Sequence, residues 1–187
     1  MQMKKIIRTA VAGAALLASG GVLAQSYFGG AVGPSNVDVD CYGTTSCDKS
    51  DVGYKVFIGY GFGNGLAVEG MYFDHGEATL SGGTLRVKFK GSGAGIGLAG
   101  SAQFTPLIAG TARLGLASNT AKITASNGGF AAGSDEETHT RPYFGFAVGF
   151  NVARGLTVDA GIDFTRFEYQ GEKADTRLIS LGLTYRY

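Results

Sequence analysis

The chain has 187 residues, of which 32 are glycine and 3 are proline, and no Gly-X-Y period runs through it. This composition excludes collagen-like and linker sequences. The 16 basic and 15 acidic residues give a formal net charge of +1, and they form no basic patch or stripe, so no nucleic-acid partner is expected.

The N-terminus has the three-part layout of a cleavable secretory signal. Basic residues Lys4, Lys5 and Arg8 precede an apolar run, and a small-residue stretch ends at Ala24. A retained membrane anchor is the alternative, but the apolar run is far shorter than the roughly 20 residues that a spanning helix needs. The predicted organisation is a signal peptide at 1–24, cleaved after Ala24, and one domain at 25–187.

Cys41 and Cys47 are the only cysteines. Export passes through an oxidising compartment, where a disulfide between them is the default expectation. A zinc site is the alternative, but no histidine or further cysteine stands nearby to complete a tetrahedral ligand set. We therefore predict a disulfide that closes the short loop between Cys41 and Cys47.

Beyond the signal, apolar residues alternate with small or polar ones at a period of two, which indicates strands. The clearest example is near the C-terminus, where Ile179 and Leu181 alternate with Ser180 and Gly182. The uncharged stretch 91–112 is long enough for a spanning helix, but its glycines and a Thr-Pro pair favour two strands and a turn. Eight strands are predicted, at 27–35, 52–62, 66–73, 86–104, 107–124, 143–150, 156–164 and 179–187.

The connections between these strands alternate in length. Short periplasmic turns and longer outside loops are typical of barrels in outer membranes, and an even number of strands returns both ends of the chain to the periplasmic side. Glycine, asparagine and proline supply turn chemistry in the short connections. The short turns are predicted at 63–65, 105–106 and 151–155, and the long loops at 36–51, 76–83, 125–138 and 171–175.

The two faces of the predicted strands indicate which side contacts lipid. One face carries large apolar side chains such as Ile58, Phe144 and Leu183, and the other is mostly glycine, alanine, serine and threonine. An eight-stranded barrel has little room inside, so we expect the small residues inside and the large ones outside, in lipid. A soluble β-sandwich or lipocalin-like barrel is the alternative. Aromatic belts are expected at Phe28, Phe62, Phe104, Phe150 and Tyr187 on the periplasmic rim, and at Tyr54, Tyr72, Phe164 and Tyr169 on the outer rim.

Six charged residues fall on the inward face of these strands, three of each sign. Charges in a confined interior must be paired or solvated, because desolvation costs several kcal/mol per ion. We predict an ion-pair network in the lumen, with Arg113 next to Glu69 or Asp159. Such a network is either a polar plug or the gate of a narrow pore. Its predicted members are Lys55, Glu69, Arg113, Asp159, Asp163 and Arg186.

The last eight residues, Ser180-Leu181-Gly182-Leu183-Thr184-Tyr185-Arg186-Tyr187, resemble the C-terminal assembly signal of outer membrane proteins. With the segments Tyr-Phe-Gly-Gly-Ala-Val-Gly at 27–33 and Leu-Ala-Val-Glu-Gly-Met-Tyr at 66–72, the chain resembles the OmpA-like small outer membrane β-barrel family. The resemblance implies an eight-stranded antiparallel up-and-down transmembrane β-barrel, outer membrane lipids and lipopolysaccharide around it, and assembly by the outer-membrane machinery and periplasmic chaperones. The residues assigned to the signal are Ser180, Gly182, Leu183, Tyr185 and Tyr187.

The functional expectation is a non-enzymatic barrel of the cell envelope that contributes to its integrity, with outside loops that contact host or environmental ligands. A narrow passive pore is the first alternative. A lipid A-modifying enzyme is the second, because His75 and His139 each have acidic or hydroxyl residues nearby, but no His-x-Ser arrangement is present. No catalytic residue, metal site or cofactor is predicted.

Overall fold

The computed structural model describes residues 26–38, 46–48, 50–82, 85–127, 130–169 and 172–187. The predicted signal peptide and Cys41 lie outside these residues, so the cleavage and the Cys41 to Cys47 disulfide stay predictions. The strands are β1 (Ser26–Val37), β2 (Ser46–Asp48), β3 (Ser50–Gly61), β4 (Leu66–Gly82), β5 (Leu85–Gln103), β6 (Ile108–Asn127), β7 (Phe130–Ala153), β8 (Leu156–Tyr169) and β9 (Glu172–Arg186).

The strands close into one antiparallel barrel. Each long strand pairs with its neighbours in sequence, β1 pairs with β9, and the pairing of β4 with β5 completes the ring. The short β2 pairs with residues 79–81 of β4, on the extracellular side of the β4 residues that pair with β3. β2 and β3 therefore share one position in the ring, and the barrel has eight strand positions. The predicted fold class is confirmed.

Large apolar side chains point away from the barrel axis, as predicted. Ile58, Phe146 and Leu183 are 57%, 56% and 54% exposed, and these values describe contact with lipid in a membrane. The predicted rims carry aromatic clusters: Tyr185 and Tyr187 pack at 5.3 Å between ring centroids, and Tyr54 and Tyr72 at 6.2 Å. Within the described part of the chain, no helix combines the length and the apolar character needed to cross a membrane.

Four consecutive strands are much longer than a membrane requires. Strands β4, β5, β6 and β7 have 17, 19, 20 and 24 residues, whereas about 9–11 suffice to cross the bilayer. The prediction of long loops at 76–83 and 125–138 is therefore wrong, because described residues there continue the ladders, with Thr79 opposite Lys88 and Thr120 opposite Thr138. The loop predicted at 171–175 is also shorter, since β9 begins at Glu172. We call the outer parts of these strands, residues 77–82 of β4, 85–92 of β5, 120–127 of β6 and 130–142 of β7, the extracellular extension.

The ladder between β7 and β8 stops at the base of this extension. Phe144 opposite Phe164 is the last pair in the described residues, although both strands continue outward. The next position that would pair in β7 toward β8 is Pro142, which has no N–H to donate. Its carbonyl instead accepts a hydrogen bond from the Thr165 hydroxyl at 3.3 Å. Within the described strands, the outer part of β7 thus has a backbone ladder to β6 alone.

Candidate functional site

The inward positions of β3, β4, β6 and β8 bring four charged side chains together at mid-barrel. Lys55, Glu69, Arg113 and Asp163 are 4%, 1%, 8% and 3% exposed, and we call them the ionic layer. Arg113 Nε donates to Glu69 Oε2 at 2.8 Å, and Lys55 Nζ donates to both carboxylate oxygens of Asp163 at 2.6 and 2.7 Å. Each buried charge therefore has an opposite charge in hydrogen-bond contact.

Two tyrosines complete the hydrogen bonding of this layer. The Tyr27 hydroxyl donates to Glu69 Oε1 at 2.6 Å, so both oxygens of that carboxylate are occupied. The Tyr143 hydroxyl donates to Asp163 and accepts from Lys55 Nζ at 3.2 Å. Buried ion pairs are tolerated when such additional bonds satisfy the remaining donors and acceptors.

The ring of Phe57 lies close to the cations of both ion pairs. The guanidinium carbon of Arg113 is 4.8 Å from its centroid, and Lys55 Nζ is 5.5 Å away. A cation within about 6 Å of an aromatic face is attracted by the ring quadrupole. Phe57 therefore stabilises both cations.

Above the ionic layer, toward the extracellular side, the lumen is filled by rings. Phe73, His75, Phe89 and Phe167 form this aromatic layer, and each is at most 7% exposed. His75 packs edge-on against Phe73 at 5.2 Å and against Phe167 at 5.6 Å, and Phe89 meets Phe167 at 6.1 Å. Tyr143 joins the two layers, because its ring stacks on Phe73 at 5.9 Å while its hydroxyl reaches the ionic layer.

Inward glycines make room for these rings. A Cβ built on Gly93 would lie 2.7 Å from Phe73 Cζ, and one on Gly91 would lie 2.8 Å from Phe167 Cζ. Both distances are well below van der Waals contact, so a side chain at either position would displace a ring. The glycines that we predicted for the inner face therefore accommodate aromatic rings, whereas we expected them to line a lumen of small residues.

The periplasmic side of the ionic layer opens into a cavity of about 520 Å³, lined by residues that include Arg113, Asp159, Thr184 and Arg186. Asp159 is half-buried there and accepts from the Thr184 hydroxyl at 2.5 Å. Arg186 is exposed, and its guanidinium lies 5.4 Å from the Tyr27 ring centroid. The structure therefore brings four of the six predicted network residues together and places Asp159 and Arg186 in this cavity.

The residues of the predicted assembly signal lie on the strand that closes the barrel. Leu183, Tyr185 and Tyr187 are exposed on the lipid side, and Ser180 is buried inside. Gly182 contacts β1 so closely that an added Cβ would lie 2.6 Å from the Gly30 carbonyl oxygen. The residues of the predicted signal thus alternate between the lipid-facing side of β9 and its inward side, where β9 pairs closely with β1.

Of the two histidines suggested for an enzyme, His75 is buried where a substrate has no route to it. His75 Nδ1 lies 2.8 Å from the Ser35 hydroxyl, but the two residues are 3% and 0% exposed inside the lumen. His139 pairs with Glu137 at 3.3 Å on the inward side of the extracellular extension. Among the described residues, no cluster of three or more His, Cys, Asp or Glu could hold a metal ion.

Period-two alternation puts Tyr143 and Phe57 on the inward face, but the predicted network does not include them. Each lies two positions along its own strand from an inward charge or glycine, Phe57 from Lys55 and Tyr143 from Gly145. This spacing is the sequence pattern that could have identified them. Tyr27 was harder to find, because its partner Glu69 is 42 positions away.

Comparison with known families and structures supports the same architecture. A sequence model of the OmpA-like transmembrane domain matches residues 23–187. No curated protein sequence matches the chain.

Solved outer membrane barrels have the same fold. Ail, the attachment invasion locus protein of Yersinia pestis, has 21% identity and a TM-score of 0.58, with 87% of this chain and 97% of that chain covered. Neisserial surface protein A has 13% identity and a TM-score of 0.60 at the same coverage. Ail in complex with the heparin analogue sucrose octasulfate has 19% identity and a TM-score of 0.54, with 87% and 99% covered.

Proposed function

Because the chain belongs to the OmpA-like transmembrane domain family, we propose that it is a non-enzymatic bacterial outer membrane barrel that supports envelope integrity and contacts ligands through its extracellular extension. The observation that carries this proposal is the filled lumen. The ionic layer and the aromatic layer succeed one another along the barrel axis, and the periplasmic cavity ends at Arg113. A closed barrel of this kind can cross the membrane without making it leak.

The filled lumen favours the polar plug over the narrow pore. A conducting path would need continuous water through both layers, but the charged groups there already bond one another and Phe73 and Phe167 are at most 1% exposed. We expect the refolded chain to give no discrete conductance steps in planar lipid bilayers. Steps in the wild type that disappear in Arg113→Ala or Glu69→Ala would instead establish the pore. Arg186→Ala, at the rim of the cavity, is the matched control.

A role in envelope integrity predicts a phenotype on deletion. Cells that lack the protein should become more sensitive to detergent and bile, and the wild-type gene should restore resistance. Normal sensitivity in the deletion strain would contradict this role. Heat-modifiable gel mobility of the purified chain would show separately that the barrel itself is folded.

The buried position of the Ser35 and His75 pair argues against lipid modification, because a lipid A headgroup must reach a catalytic base at the outer rim. Mass spectra of lipid A from cells with and without the protein should be identical. A mass difference that depends on His75 or His139 would restore the enzyme hypothesis.

The extracellular extension is the part of the barrel available to ligands outside the cell. It projects beyond the outer aromatic rim, and its outward face carries the polar and charged residues Lys90, Lys122, Glu136 and Thr138. The Ail complex with a heparin analogue supports ligand contact in a barrel of this fold. We expect binding to immobilised heparin, used as a probe, to be lost when residues 122–136 are replaced by a two-residue Asn-Gly turn, while heat-modifiable mobility is retained. Equal binding by both forms would contradict this assignment.

A further inference from the structure

A pocket of about 450 Å³ opens on the outward face of the barrel, at the point where the ladder between β7 and β8 ends. The last paired residues of that ladder, Phe144 and Phe164, line the end of the pocket nearer the membrane core. Charged side chains line its extracellular end. We call it the rim pocket, because Phe164 belongs to the outer aromatic rim. The lining includes Arg141, Phe144, Phe164, Arg166, Asp175 and Thr176.

The rim pocket has guanidinium donors that the described part of the chain does not use. Exposed Arg166 donates to Asp175 from Nε at 2.5 Å and from Nη2 at 3.1 Å, which occupies two of its five N–H groups. Arg177 is exposed on the same face of β9 as Asp175, directly opposite Phe164. No salt bridge between described residues includes Arg177. The two arginines therefore have donors for an anion that comes from outside the protein.

The charge pattern of the polar end suits a phosphorylated sugar. A guanidinium group binds phosphate oxygens through two parallel hydrogen bonds, and it gives up its hydration water more readily than an ammonium group. The carboxylate of Asp175 repels a phosphate, so a phosphate ligand that fits here must also bring hydrogen-bond donors for that carboxylate. Sugar hydroxyls are such donors.

The apolar end of the rim pocket indicates that the ligand is a lipid. Phe144 and Phe164 are 46% and 39% exposed, on the face of the barrel that contacts the membrane. The aromatic rims of outer membrane barrels lie at the level of the lipid headgroups. A headgroup held at the polar end therefore has its acyl chains beside these two rings.

We propose that the rim pocket binds the phosphorylated sugar headgroup of an outer-leaflet glycolipid of the lipid A class. The phosphate binds Arg166 and Arg177, and a sugar hydroxyl donates to Asp175. The acyl chains pack on Phe144 and Phe164. This site rests on the proposed location in the outer membrane, and it gives the proposed role in envelope integrity a lipid ligand.

A bound headgroup joins β7, β8 and β9 at the place where the ladder between β7 and β8 has ended. The described contacts there include the hydrogen bond from the Thr165 hydroxyl to the Pro142 carbonyl and the contact of Arg141 with Glu168. A ligand that binds the folded barrel and not the unfolded chain stabilises the fold. Diphosphoryl lipid A should therefore raise the temperature at which the folded band is lost in heat-modifiable mobility.

Native mass spectrometry of the refolded chain in detergent tests the site directly. The wild type should retain diphosphoryl lipid A, and the double variant Arg166→Ala with Arg177→Ala should bind it at least about tenfold more weakly, because both phosphate donors are gone. The matched control is Arg154→Ala with Arg186→Ala, which removes two exposed arginines at the periplasmic end. Equal losses in the two double variants would reflect general attraction between charges and would overturn the site. A folded wild type that retains no lipid A overturns it as well.

Changes in the ligand distinguish the possible occupants. Lipid A without its phosphate groups should bind the wild type at least about tenfold more weakly than the diphosphoryl form. Phosphatidic acid, which has a phosphate but no sugar, should also bind more weakly, and it should gain affinity in Asp175→Asn because the repelling carboxylate is removed. This gain keeps the test valid if the double variant fails to fold. Equal affinity of the wild type for phosphatidic acid and lipid A would assign the pocket to any anionic lipid and refute the glycolipid.

The site and the proposed function can fail separately. In the deletion strain, Arg166→Ala with Arg177→Ala should restore less bile resistance than Arg154→Ala with Arg186→Ala at equal amounts in the membrane. Full restoration by the variant that binds lipid A weakly would refute the use of the site in cells, while the envelope role would stand. Normal resistance of the deletion strain would contradict the envelope role, and the binding measurements would then decide the site alone.

Discussion

The two layers of the lumen fill the same cross-section in different ways. The ionic layer uses charges that bond one another, with Arg113 2.8 Å from Glu69. The aromatic layer uses rings that fit over glycines, with Phe73 above Gly93. The first depends on every partner being present, because an unpaired buried charge is costly. The second depends on shape, so its losses scale with the volume removed.

The largest effect is expected from breaking an ion pair in the ionic layer. Glu69→Ala leaves the Arg113 guanidinium and the Tyr27 hydroxyl without their acceptor, at a cost of about 4 kcal/mol in the free energy of unfolding. Urea unfolding in lipid vesicles measures this cost. The double variant Glu69→Leu with Arg113→Met should recover most of it, because apolar replacement of a whole pair is often neutral. A double variant as unstable as the single one would mean that the loss lies in packing.

A smaller loss is expected from the aromatic layer. Phe167→Ala removes a ring that packs on both His75 and Phe89 and should cost about 3 kcal/mol in the same measurement. Since no charge is left unpaired, Phe167→Leu should retain most of the stability. Equal losses for leucine and alanine at this position would contradict the argument from volume.

The substitution Tyr143→Phe distinguishes the contribution of the aromatic layer from that of the ionic layer, because Tyr143 contacts both. The ring that stacks on Phe73 is kept, while the hydroxyl that bonds Asp163 is lost. A hydrogen bond to a charged group contributes about 2 kcal/mol. We expect a loss of that order, reduced when Asp163→Asn is also present, since the charge is then gone. A loss that is independent of residue 163 would assign the effect to the ring.

The smallest effect is expected outside the lumen, at the exposed pair of Arg166 and Asp175, 2.5 Å apart. The hydrogen bond from Arg166 lowers the pKa of the Asp175 carboxyl below its ordinary value. Its contribution to stability is therefore present above the pKa of the unfolded chain, about 3.9, and is lost as the pH falls below it. Wild type and Asp175→Asn should differ slightly in urea midpoint at about pH 6 and converge near pH 2. A difference that persists in acid would exclude this cause.

The sequence was sufficient for the membrane-embedded part of the fold. Period-two alternation fixed the lipid-facing side of residues such as Ile58 and Leu183, since lipid demands apolar side chains there. The same rule failed for the extracellular extension, where both outward residues and turns are polar, as in the run from Thr120 to Thr124. Strands and loops can both expose polar side chains to water, so alternation predicts loops at 76–83 and 125–138 where the structure has continued ladders.

The sequence predicted which charged residues face the lumen better than it predicted which of them contact one another. Alternation placed Lys55, Glu69, Arg113 and Asp163 inside. It did not reveal that Arg186 lies at the exposed rim, because position along the barrel axis depends on strand stagger, which alternation does not encode. The aromatic layer was missed for a related reason, since a ring fits only where the neighbouring strand offers a glycine.

Pro142 has a mechanical consequence. Among the described residues, it leaves the outer part of β7 attached through a backbone ladder to β6 alone, while β6, β5 and β4 remain joined edge to edge. A pull on the tip, directed away from the membrane, acts along the strands and is shared by all hydrogen bonds of the ladder at once. The extension would therefore resist traction as one sheet, whereas a sideways force at the β7 edge would open its bonds one after another.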